Sequence, residues 1–92
     1  MTPATVLAAV ALRSATAACP ALADKPPVTL VVQPEARWPR EKAHFDASKP
    51  LTVFLDSRVP RALVVRVIRH ETEHLCRFNS GRADWTMGEV VR

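Results

Sequence analysis

The sequence predicts an α+β fold, and three observations predict it. Residues 4–18 and 61–78 carry helical patterns at opposite ends of the chain. Between them lie short β-branched or alternating runs at 28–32, 42–46 and 51–55, separated by prolines and polar turns. The 92-residue length allows one small domain at most, and a chain of that size buries only about 60–65% of its unfolded surface. The expected order is an N-terminal helix, a sheet of two or three strands, a second helix and a short C-terminal tail. No repeats or low-complexity linkers interrupt it.

Thr2-Pro3 is a favourable helix opening, a hydroxyl cap followed by proline in the first turn. Val6, Leu7, Val10 and Ser14 are expected to share one side of it, and Pro20 stops it. Residues 4–23 end in Ala21-Leu22-Ala23, which resembles a leader cleavage site. No lysine or arginine precedes the apolar run, however, and Arg13 interrupts it. The segment therefore reads as part of the mature domain, and no run is long and apolar enough to span a membrane.

Val28 to Val32 reads as a strand. Pro34 to Glu41 reads as a loop that packs Trp38 on the core. Lys42 to Asp46 is a second short strand, and Leu51 to Leu55 is the clearest one. Asp56-Ser57 offers a cap and Pro60 a first turn to the helix of residues 61–78, which Asn79-Ser80-Gly81 ends. Arg82 to Arg92 form the tail.

Charge and cysteine content exclude more than they assign. The net charge is +4, and ten of the thirteen cations are arginines. These are scattered without interleaved aromatics, so no dedicated nucleic-acid surface is visible. Arg, Ala, Val and Pro together are what a GC-rich coding sequence favours. Two cysteines, Cys19 and Cys76, allow one disulfide, but two residues do not fix their redox state, and no C-x-x-C zinc motif is present.

The second helix contains the chemistry-bearing stretch, His70-Glu71-Thr72-Glu73-His74. It is a palindrome, H-E-x-x-H in one direction and H-x-x-E-H in the other. Helical geometry distinguishes its glutamates, because each residue advances by about 100°. With Arg69 at zero, Glu73 falls at about 40°, in an arc with Arg66 and Arg77. Its spacing from Arg69 and Arg77 suits surface ion pairs. Glu71 falls at about 200°, among Val64, Val67, Leu75 and Phe78, and the histidines lie at about 100° and 140°, on the edge of that apolar arc. A carboxylate on a buried face costs several kcal/mol or gives up its charge unless something compensates it. A metal site would supply the compensation. Histidines at i and i+4 reach one zinc ion, and a glutamate next to the first can accept a proton from zinc-bound water. The forward reading is therefore preferred.

On His70, Glu71 and His74, the sequence resembles the zincin metallopeptidases. The likeness extends over residues 28–78, where strand 51–55 followed by helix 61–78 is similar to the upper subdomain of that family. The resemblance implies that His70 and His74 bind Zn2+, that Glu71 is the general base, and that peptide bonds of a peptide or protein substrate are hydrolysed. It also implies that an edge strand, here 51–55, pairs with the extended substrate. Gly81, Asp84 and Gly88 match the aspzincin signature G-T-x-D-x-x-Y-G, while Arg82 and Met87 depart from its threonine and tyrosine. That likeness makes Asp84 the preferred third ligand. Glu89, placed as in gluzincins, is the alternative. Only eighteen residues follow His74, so the chain is either a minimal zincin or one whose cleft a partner completes. The contrasting expectation is a non-enzymatic basic binding protein that uses the Arg66, Arg69 and Arg77 face, with or without a structural zinc.

Overall fold

The computed structural model describes residues 3–81. It has the expected α+β order. Helix α1 (Pro3–Ala17) is followed by a short 3₁₀ turn (Pro20–Leu22), then β1 (Thr29–Gln33), β2 (Ala43–Phe45), β3 (Thr52–Asp56) and helix α2 (Arg61–Asn79). The strand order is β1-β3-β2. β1 runs parallel to β3, with Val31 beside Phe54, and β2 runs antiparallel to it, with His44 beside Phe54.

β3 is therefore central, and both its faces are covered. Val53 and Leu55 turn into the main core with Val64, Val67, Ile68 and Leu75 of α2. Phe54 turns to the other side, where the His44 ring stacks on it at 4.4 Å and Lys49 Nζ lies 5.5 Å from its centre. This two-sided burial explains why an alternating pattern is weak in this strand.

α1 packs chiefly on α2, and of the side that carries Val6, Leu7 and Val10 only Leu7 takes part. Its buried positions are Ala8, Ala11 and Leu12, with Ala4 and Leu7 partly buried against the core. Val6 and Val10 remain 48% and 57% exposed. The reason is steric. Alanines at 4, 8 and 11 form a stripe of small residues that lets the helices approach closely, whereas β-branched valines would hold them apart. The same stripe leads to Cys19, which is disulfide-bonded to Cys76 of α2.

The cap expected at Asp56-Ser57 is also corrected. α2 begins after Pro60, with no side-chain cap. Val59 is drawn into the core between strand and helix, and the helix starts at Arg61, as the sequence predicts. Asp56 instead ends β3, fully enclosed. Its carboxylate accepts bonds from the Arg58 amide at 2.6 Å, the Arg58 guanidinium at 3.0 and 2.7 Å and the Glu35 amide at 2.6 Å. Glu35 in turn meets His44 Nδ1 at 2.7 Å, and Arg58 lies 5.0 Å over Trp38. The network clamps the 34–42 loop onto the outer face of the sheet, with Trp38 partly buried against the core as expected. At the other end of α2, the Asn79 side chain donates to Leu75 O and to Pro50 O, both at 2.8 Å. Gly81 follows with a φ of 75°, the left-handed conformation that favours glycine after a helix.

Two outcomes follow. The disulfide closes a segment with a sequence separation of 57, for which chain-entropy reasoning gives about 4 kcal/mol. Cys19→Ser/Cys76→Ser should lower the unfolding free energy by that order, measured in urea against the oxidised protein. The hydrogen bonds from Arg58 hold the Asp56 carboxyl below its ordinary value of 3.8, at about 2. A depressed folded-state value adds stability above the unfolded-state value and loses it as pH falls through the folded one. Stability should thus decline between pH 4 and pH 2, and Asp56→Asn should flatten that part of a Tm–pH profile while lowering Tm at neutral pH.

Candidate metal centre

α2 divides its surface into four regions. Toward the sheet it presents Val64, Val67, Ile68, Glu71 and Leu75, all with 0% exposure. On one flank, Cys76 is tied to Cys19, which binds α1 there. Arg66, Arg69 and Glu73 are exposed, and Glu73 accepts a hydrogen bond from Arg77 one turn on. The two glutamates of the palindrome thus have opposite environments: Glu71 lies inside and Glu73 in solvent.

His70 and His74 lie on the remaining flank. Their Nε2 atoms are 3.0 Å apart, and their rings meet edge to face with centroids 4.6 Å apart. His74 is buried and His70 half-buried. Phe78, one turn after His74, packs on Phe45 of β2 at 5.4 Å between centroids. The histidine flank is therefore the one beside β2.

The pair can be tested against zinc geometry. Two imidazole nitrogens, each 2.0–2.1 Å from a tetrahedral zinc, stand about 3.3 Å apart. The observed separation is shorter by a few tenths of an ångström, and each histidine presents the same nitrogen to the other. The pair fits two corners of such a site. It also fits a hydrogen bond in which one Nε2–H donates to the other Nε2. Among the described residues, no third His, Cys, Asp or Glu joins them in a metal-holding group. Asp84 and Glu89 lie outside the described residues. Cys76, in its disulfide, is not a ligand.

One sequence expectation is overturned by the sheet order. Strand 51–55 does not lie at an edge, because β3 is hydrogen-bonded to β1 on one side and β2 on the other. It cannot accept another strand. On the histidine side the edge is β2. The bond from Asp56 N to Lys42 O makes Lys42 and His44 the residues that bond inward, so Ala43 turns its N–H and C=O away from β3. Sequence reasoning missed this role for β2, and no periodic signal in a three-residue strand announces it. The Glu35–His44 contact was missed for a similar reason, since it joins a loop to a strand nine residues on.

No helix among the described residues is long and apolar enough to cross a membrane. No family model, curated protein or solved structure matches the chain.

Proposed function

We propose that the chain is a minimal zincin-type metallopeptidase, with His70 and His74 as zinc ligands and Glu71 as general base. The observation that carries the reading is the meeting of two Nε2 atoms 3.0 Å apart on a helix where Glu71, the residue after His70, is turned fully inward. Asp84 is the third ligand of the proposal. When bound, zinc polarises the scissile carbonyl and makes water a nucleophile near neutral pH. His70 and His74 would hold the ion through Nε2. The Glu71 carboxylate accepts the proton of the attacking water and returns it to the departing amine. The substrate strand, assigned from sequence to 51–55, passes to β2, where the Ala43 N–H and C=O offer one pair of backbone bonds to an extended peptide. The Cys19–Cys76 disulfide suits an oxidising compartment.

The test begins with zinc content. Purified protein should hold about one zinc per chain by elemental analysis. His70→Ala and His74→Ala should each lose it while keeping the far-ultraviolet circular dichroism of the parent. Glu71→Gln should keep the metal and lower peptide hydrolysis on the order of 10²–10⁴-fold. A protein that takes up no zinc after reconstitution refutes the proposal. A protein that binds zinc but whose turnover is unchanged by Glu71→Gln refutes the role of Glu71.

A further inference from the structure

The edge of the sheet far from the histidines has a property of its own. The N–H of Thr29 donates to Leu51 O at 2.8 Å, and that of Ser57 donates to Gln33 O at 3.2 Å. In a parallel ladder, bonding residues alternate along the strand. Thr29, Val31 and Gln33 therefore bond to β3, and Leu30 and Val32 turn both backbone groups outward. Among the described residues nothing takes these four groups.

This edge lacks the usual protections. From Val28 to Pro34 the chain carries no charge, and an uncharged, unpaired edge strand is a template for another strand. The apolar surface around it is also open. The three exposed large apolar side chains among the described residues are Val6 and Val10 of α1 and Val32 of β1. A groove of about 330 Å³ runs between the two elements, lined by Ala9, Leu12 and Arg13 on one side and Val28 and Leu30 on the other. Val6 lies one turn before Ala9 on α1, while Val10 is turned about 100° further round the helix from Ala9.

We propose that β1 is a homodimer interface, in which a second copy of this chain pairs with it antiparallel about a twofold axis at Val31. The register is fixed by the two outward residues. Leu30 faces Val32 of the second copy, Val32 faces its Leu30, and each pair exchanges two backbone hydrogen bonds. Four bonds form, and Val31 stands opposite its own symmetry mate. The register is self-complementary, as a twofold contact requires, and the absence of charge in 28–34 removes like-charge repulsion across it. Pro34, the next residue in the outward phase, has no N–H to donate, which bounds the ladder. A perpendicular twofold puts both helical layers on one side of a six-stranded sheet, β2-β3-β1-β1-β3-β2. α1 then faces its counterpart through the side that carries Ala9 and Arg13, and Val32 of each copy is brought to the same seam. The two histidine flanks lie at the outer ends, so the dimer is independent of the metallopeptidase reading.

The experiment is sedimentation equilibrium of the full chain across micromolar to millimolar concentration, with two variants. The parent should shift from one to two chains per particle as concentration rises. Val32→Pro removes an N–H that β3 does not use, and proline is tolerated on an edge strand in that orientation. It should remain folded and monomeric throughout. Val31→Cys places two thiols on opposed Cα atoms about 4.5 Å apart, within disulfide reach. It should give a covalent dimer on mild oxidation, and Thr29→Cys should not. A parent that is monomeric at every concentration overturns the proposal. So does a folded Val32→Pro that still dimerises, or a Val31→Cys that does not cross-link. Should Val32→Pro fail to fold, the cysteine pair decides alone.

Discussion

The enclosure of β3 is the constraint on which the rest of the molecule depends. A strand bonded on both edges and covered on both faces has no route to water, so every polar group it carries must be met by protein. Val53, Phe54 and Leu55 meet this requirement by being apolar. Asp56 meets it by collecting bonds from the Arg58 amide and guanidinium and from the Glu35 amide. Those bonds bring in the 34–42 loop and align the segment that leads into α2. The seat of the helix, and with it the placement of the histidines, follows from a strand that cannot be left half-solvated.

α2 is held on two sides, and the remainder divides into a solvated arc and a flank that carries the histidines. The sheet takes one face, and α1, locked by Cys19–Cys76, takes a flank. The arginines take the solvent arc, where Arg77 pairs with Glu73. His70 and His74 occupy what is left, a flank bordered by β2 and closed by Phe78 on Phe45. Glu71 faces the sheet although it is a carboxylate, because the helix's period puts it there whenever residues 64, 67 and 75 are buried. Its position is therefore imposed by the apolar residues around it, in a domain whose small core can ill afford to waste a buried site.

The elements and their limits were legible because they depend on local chemistry. Prolines at 3, 20, 27, 34 and 50 punctuate the segments, and the period of α2 separates Glu71 from Glu73 without reference to any other part of the chain. What was not legible depends on partners distant in sequence. The packed face of α1 could not be read because alanine is neutral in a hydrophobic pattern, and only close approach to α2 makes Ala4, Ala8 and Ala11 the better surface than Val6 and Val10. Asp56-Ser57 looks like a cap by composition, but the Glu35 amide, twenty-one residues earlier, competes for the same carboxylate. Sheet order was hidden altogether: residues 28–32 and 51–55 each hold four apolar residues and one threonine, so composition does not distinguish the edge strand β1 from the central strand β3.

The two edges that this order leaves are physically unlike, and the difference separates their uses. β2 is three residues long, has His44 at its middle, and is backed by the Glu35 and Asp56 network. Only a short stretch of backbone can be added there, beside the histidines. β1 is five residues long, uncharged, and bordered by open apolar surface on α1. A short polar edge exchanges a bound segment readily, because few bonds and little apolar area hold it. A longer apolar edge with a self-complementary register gains from both and releases its partner less readily. On the two proposals, a sheet of only three strands with β3 closed at its centre would take transient and lasting strand addition on opposite sides of the molecule.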